Sequence, residues 1–178
     1  VNFLYGRTTF DLEVPDDTPV LTSNVDALKS DKDGYEIVKE AMDHPIDSPH
    51  LYELAKGKPD CTIIISDHTR PVPSRDILPP MLEELRRGNP EIDITLLVAT
   101  GFHRGTTRDE LRTKLGDDVF LHEKVVVHDC RSKDSNVKIG TLPSGAPLVI
   151  DRLAAETDLL VSEGFIEPHF FAGFSGGR

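Results

Sequence analysis

The chain has 178 residues, with 31 Asp and Glu against 20 Lys and Arg, and a formal net charge of −11. This length suits one domain with a sizeable core, and the acidity argues against a nucleic-acid or anionic-membrane surface, because such binding rests on neutralising phosphates. No apolar run approaches the roughly 20 residues that span a bilayer; the start, VNFLYGRTTF, lacks the basic and apolar regions of a signal peptide; and Cys61 and Cys130 alone indicate neither a disulfide framework nor a Cys-rich zinc site.

A cytoplasmic protein is therefore expected. VNFLYGRTTFDLEV predicts two short alternating strands turning at Tyr5-Gly6-Arg7, a hairpin-like start. DKDGYEIVKEAMD predicts a short helix, which HPIDSPH breaks with Pro45 and Pro49. PDCTIIISDHTRPVP then reads as a buried strand, opened by Cys61, that delivers a polar loop at its carboxyl end. SRDILPPMLEELRRGNP supplies a helix closed by Gly88 and Pro90, and EIDITLLVATGFHRGTT repeats the scheme of strand followed by polar loop. In TRDELRTKLG, Thr107 is the expected N-cap of the next helix and Glu110 completes a capping box. Further strands are expected at KVVVHD, in a hairpin over NVKIGTLPSGAPLVID that turns at Pro143-Ser144-Gly145, and in TDLLVSEGF. His44, His50 and His122 fall in polar connections and are expected to be solvated.

Strands alternating with helices predict an α/β fold, a largely parallel sheet flanked by helices, Rossmann-like, with a short N-terminal β-hairpin. Parallel sheets bury both faces, which accounts for the nearly continuous apolar runs TIIIS and TLLVA. Ligands of such sheets bind beyond the carboxyl ends of strands. SDHTRP, ATGFHRGTT and SEGFIEPHFFAGFSGGR all follow predicted strands, so these loops are expected to converge on one site.

The first loop joins a carboxylate, an imidazole, a hydroxyl and a guanidinium in Asp67, His68, Thr69 and Arg70. Arg70 suits a phosphate or a carboxylate through a bidentate contact; the plain alternative is that Asp67 and Arg70 only pair with each other. The second loop sets His103 between Gly101 and Gly105, and imidazole, with an ordinary pKa of about 6.5, suits proton transfer near neutral pH. In the third, His169 follows Pro168 and precedes FAGFSGGR, whose glycines can present N–H donors to an anion. That segment meets neither the Walker nor the dinucleotide spacing. His128 sits in VVVHDC, where neighbouring strand residues point to opposite faces, and is read as structural.

Taken together, SDHTRPVPS, ATGFHRG and GFIEPHFFAGFSGGR resemble the N-terminal part of the nickel-dependent lactate racemase family, over a stretch from about Cys61 to Arg178. The resemblance implies racemisation or epimerisation of a lactate-like 2-hydroxy acid. Its cofactor would be a nickel pincer nucleotide, a pyridinium mononucleotide contacted by Asp67, His68, Thr69 and Arg70. His103 and His169 fall on the family's acid/base histidines. One takes the hydroxyl proton as hydride leaves Cα, and the other acts on the opposite face. A hydride acceptor suits this chemistry, since Cα–H beside a carboxylate is a poor acid. The resemblance also implies that residues 1–178 are the N-terminal cofactor and catalytic domain of a larger two-domain racemase. The chain would then stop one position short of the lysine that attaches the cofactor, and would lack the C-terminal domain with its nickel-binding histidine and substrate contacts. No metal ligand is assigned within the chain, neither Lys133 nor Lys138 sits in the matching motif, and the fragment alone is expected to be inactive. Two other readings stand beside it: a non-catalytic nucleotide or anion-binding module, and a metal-assisted hydrolase using Asp67, His103 and His169.

Overall fold

The computed structural model describes residues 1–19, 21 and 24–176; Arg178, the last residue of the glycine-rich motif, lies outside the described residues. The chain divides into two compact units, one over 1–31 and one from Lys32 onward. In the first, β1 (Asn2–Tyr5) and β2 (Thr8–Asp11) form the expected antiparallel hairpin, with Phe3 opposite Phe10. Those rings stack with centroids 5.8 Å apart, a cross-strand aromatic pair that holds the register.

The second unit holds the main core. It begins with α1 (Gly34–Asp43), started by a capping box between Asp33 and Glu36, and continues through the short α2 (Leu51–Ala55). Between them His50 departs from expectation: it is half-buried, with Nδ1 3.3 Å from the Met42 carbonyl and its ring stacked on Tyr52. Next come β3 (Asp60–Ser66), α3 (Ser74–Gly88), β4 (Asp93–Ala99), α4 (Arg108–Leu115), α5 (Asp117–His122) and β5 (Lys124–Val127). Thr107 caps α4 in a capping box with Glu110, as the sequence predicts. A hairpin of β6 (Asn136–Thr141) and β7 (Pro147–Asp151), then α6 (Arg152–Glu156), lead to β8 (Leu160–Ser162). The chain closes with an antiparallel hairpin of β9 (Glu167–His169) and β10 (Gly173–Ser175), where the sequence suggests only a glycine-rich loop.

The sheet order is β5-β4-β3-β8, and every pairing is parallel. β4 and β5 therefore build outward from β3 in one direction, and β8 returns to the other side of β3. That reversal makes a topological switch point between β3 and β8, where the carboxyl ends of neighbouring strands splay and leave a crevice.

Alternation along the strands sorts the core. Cys61, Ile63 and Ile65 of β3 join Ile94, Leu96 and Val98 of β4 in one buried cluster with Leu78, Leu82 and Leu85 of α3 and Leu111 and Leu115 of α4. Residues between them, such as Thr62 and Thr95, face the other way, and the Thr62 hydroxyl donates to the Leu153 carbonyl of α6. Leu96 is fully buried at the middle of β4. Leu96→Ala is expected to cost about 2 to 5 kcal/mol, through lost burial and the cavity left behind, read as a fall in the urea midpoint at unchanged m-value. Among the described residues no helix is long and apolar enough to cross a membrane.

Candidate functional site

Asp67 is the first residue past β3 and only 2% exposed. A carboxylate so placed needs a partner for each oxygen. Oδ1 accepts from the Thr69 hydroxyl at 2.6 Å and from its backbone N–H at 3.0 Å, while Oδ2 lies 2.6 Å from His103 Nδ1. Burial raises the pKa of Asp67, but the hydrogen bonds from Thr69 and His103 outweigh it and leave the carboxyl below its ordinary value. The turn is closed by the Arg70 N–H donating to the Asp67 carbonyl at 3.3 Å. Arg70 does not pair with Asp67; its guanidinium donates to the Thr69 hydroxyl at 3.3 Å. The plain alternative of an Asp67–Arg70 tie is thus replaced by a tie between loops.

β4 delivers His103 to this carboxylate. Gly101 turns the chain at φ 56°, and the His103 N–H donates to the Thr100 carbonyl at 3.0 Å. Facing an ionised carboxylate, Nδ1 carries the ring proton and Nε2 keeps its lone pair. The side chain is 46% exposed, so Nε2 can reach solvent or a ligand while Nδ1 is held from behind.

His68 knits the same loops together. Its Nδ1 lies 3.1 Å from the hydroxyl of buried Thr106, and its Nε2 3.9 Å from Glu110. Glu110 is held well below the usual carboxylate range, first by Arg104 and then by Thr107. Lys114 of α4 donates to the Arg70 carbonyl at 3.2 Å, with its own pKa lowered by partial burial. Thr106 and Lys114 are supports that sequence spacing does not reveal.

His169 ends β9, and its Nδ1 lies 3.4 Å from the Phe171 N–H and 3.3 Å from the Ala172 N–H. Those donors make Nδ1 the acceptor and place the ring proton on Nε2. Among the described residues no hydrogen bond or ion pair joins His169 to Asp67 or His103. His128 directly follows β5, and its Nδ1 lies 2.8 Å from a carboxyl oxygen of buried Asp151.

The first and third loops meet at the switch point. A cavity of about 400 Å³ is lined there by Ser66, Arg70, Glu163, Gly164, Ser175 and Gly176. Glu163 follows β8, is buried, and accepts from the Ser74 hydroxyl at 2.6 Å through Oε1. Its other oxygen, like the Ser66 hydroxyl, is buried without a hydrogen-bond partner. Arg70 brings a cation to a cavity that Glu163 and Glu167 also line and whose other walls, Ile64, Val72 and Phe165 among them, are largely apolar; the cation suits the anionic group of a mononucleotide and the apolar walls its ring. Among the described residues no group of three His, Cys, Asp or Glu is arranged to hold a metal ion. Asp67, His103 and His169 therefore do not form the ligand set that a metal-assisted hydrolase needs.

Known proteins carry the same architecture. The lactate racemase of Thermoanaerobacterium thermosaccharolyticum is 50% identical over 176 residues, 98% of this chain and 41% of that protein. The lactate racemase of Lactiplantibacillus plantarum is 47% identical over 180 residues, 100% of this chain and 42% of its own. The chain thus spans about two fifths of the length of these relatives. The structure of the T. thermosaccharolyticum lactate racemase apoprotein matches with a TM-score of 0.87 at 48% identity, over 99% of this chain and 41% of that one. A Thermotoga maritima protein matches in fold alone, with a TM-score of 0.63 at 21% identity over 80% of this chain and 36% of that one. A family model described as the lactate racemase N-terminal domain matches residues 5–178. Parallel sheet, paired loops and sequence agree, and the chain belongs to the lactate racemase N-terminal domain family.

Proposed function

We propose that this chain is the N-terminal cofactor and catalytic domain of a two-domain cytoplasmic racemase acting on a lactate-like 2-hydroxy acid, with a nickel pincer nucleotide as cofactor. The observation that carries the reading is the Asp67–His103 pair, a buried carboxylate 2.6 Å behind a half-exposed imidazole at the mouth of a parallel sheet. The names of the relatives support the reaction class. The free thiols Cys61 and Cys130 fit a reducing compartment.

Arg70, Thr69 and the turn they share with His68 would hold the nucleotide, with Asp67 fixing the turn from behind. When bound, the nickel nucleotide supplies the hydride acceptor that Cα of a 2-hydroxy acid needs. His103 Nε2 then takes the hydroxyl proton, and Asp67 stabilises the positive charge that develops on the ring. His169 is the proton carrier of the opposite face. The two rings are not equivalent: His103 presents a lone pair, whereas His169 presents Nε2–H and so first acts as a donor to the substrate oxygen. For His169 to take its turn as base, the ring must release Nδ1 from Phe171 and Ala172. Those contacts, at 3.4 and 3.3 Å, are long enough to release at small cost.

The isolated 178 residues are expected to bind anions without turnover, since the remaining contacts lie on the proposed second domain. The test is to load the two-domain protein with cofactor and follow enantiomerically pure 2-hydroxy acids by chiral chromatography. Conversion of either enantiomer of lactate into the mixture is the expected result. A loaded protein that scrambles no chiral 2-hydroxy acid overturns the reaction.

A further inference from the structure

One face of α4 holds both of the loops that make the Asp67–His103 pair. Glu110 and Lys114 are four residues apart on that helix and so share a face. Lys114 holds the first loop, donating to the Arg70 carbonyl at 3.2 Å. Glu110 holds the second. Its Oε1 accepts from Arg104 Nη2 at 2.5 Å and its Oε2 from Arg104 Nη1 at 2.9 Å, a bidentate fork on the residue that follows His103. His68 Nε2, on the first loop, lies 3.9 Å from the same carboxylate, so both loops are referred to one rigid helix.

Glu110 has two tasks that chemistry can separate. It closes the capping box, where Oε2 also accepts from the Thr107 N–H at 2.9 Å and the Thr107 hydroxyl at 3.0 Å. Glutamine serves at that position of a capping box as glutamate does. The fork is different: it needs two acceptor oxygens and a negative charge, which only the carboxylate has.

The fork adds little to folding, because Arg104 is 60% exposed and Glu110 30%, and ion pairs open to water contribute little to stability. Its effect is local. Residues 101–105 are all exposed, so the loop that carries His103 has no burial to fix it. On the amino side the His103 N–H donates to the Thr100 carbonyl at 3.0 Å, and on the carboxyl side the loop is gripped through Arg104. Between these ties the ring meets Asp67 at 2.6 Å. We propose that Glu110 is a positioning residue for the reaction, acting through Arg104 to hold the His103 imidazole against Asp67. This rests on the acid/base reading of His103 above and adds the contact that sets where its lone pair points.

The first measurement is the nitrogen-15 spectrum of the histidine rings in the 178-residue chain, at mildly alkaline pH where imidazole is neutral. Wild-type His103 is expected in its Nδ1–H form. In Glu110→Gln and in Arg104→Met the ring loses its fixed place beside Asp67, and the Nε2–H form should appear as roughly a tenth of the population or more. Glu110→Gln should melt close to the wild-type temperature, since the cap remains. The second measurement is on the cofactor-loaded two-domain protein. There Glu110→Gln should lower kcat by roughly tenfold or more, the scale of a misplaced reacting group, with KM for lactate and nickel content unchanged. The double variant Glu110→Gln with Arg104→Met should lose no more than the worse single variant, because the two residues act as one fork. Variants that keep the wild-type Nδ1–H form or the wild-type kcat overturn the inference, and so does a loss of rate that follows a loss of nickel; in each case the racemase reading stands. A wild-type chain without the Nδ1–H form removes the Asp67–His103 pair, and with it the observation on which that reading rests.

Discussion

His103→Ala in the cofactor-loaded two-domain protein is expected to lower the racemisation rate by roughly 10² to 10⁴-fold in both directions, the range typical for loss of a positioned acid/base group. Nickel and nucleotide content should stay at the wild-type level, because His103 meets Asp67 and Thr69 within the protein and is absent from the walls of the switch-point cavity. The measurement is initial rate from each lactate enantiomer beside metal analysis of the same sample. Parallel loss of cofactor would make His103 a binding residue, and full activity would remove its acid/base role. The variant should also fold, since the side chain is 46% exposed and belongs to no part of the core cluster.

The frame that carries this histidine is legible in the sequence. β3 and β4 announce themselves as short, nearly continuous apolar runs that give way to loops carrying polar residues, the mark of strands buried on both faces. Once those runs are placed in parallel register, Ser66 opposite Ala99, the loops that follow them must be neighbours. The capping box at Thr107 and Glu110 fixes the start of α4 from local chemistry alone. The short elements do not announce themselves. α2 and α6 have 5 residues each and α5 has 6, too few to repeat a 3.6-residue pattern. β9 and β10 have 3 residues each, with Pro168 inside one and Gly173 opening the other, and their pairing overrides what composition suggests.

The site divides in the same way. That Asp67, His68, Thr69, Arg70, His103 and His169 sit at strand ends follows from the sequence pattern; which of them touch does not. Asp67 and His103 are 36 residues apart, and their bond depends on β3 and β4 being adjacent. Thr106, Lys114 and Glu163 act through partners far along the chain, 38, 44 and 89 residues away, so no local spacing marks them. Glu163 did carry one signal, an acidic residue directly after the apolar run of β8.

Asp67→Asn should be almost as damaging as loss of the histidine itself, although the substitution is nearly isosteric. In the wild-type chain Asp67 accepts at both oxygens, from Thr69 and from His103. An amide offers one acceptor and one N–H₂ donor. If the donor faces His103, Nδ1 becomes the acceptor, the ring proton moves to Nε2 and the lone pair needed for proton removal is lost. If it faces Thr69, donors meet donors and the turn that carries Arg70 is strained. Either way activity should fall by roughly 10²-fold or more, the scale of a misplaced reacting group. The pH dependence separates this from simple unfolding. Asp67 titrates below its ordinary value of 3.8, so the stability it contributes is complete above that pH and is lost as pH falls through the lower folded value. Denaturant titrations at pH 7 and near pH 3 should therefore show a smaller acid-induced loss in Asp67→Asn than in the wild-type chain. An equal loss in both would mean that the Asp67 carboxylate is not linked to folding, and that its contact with His103 is too weak to set the tautomer.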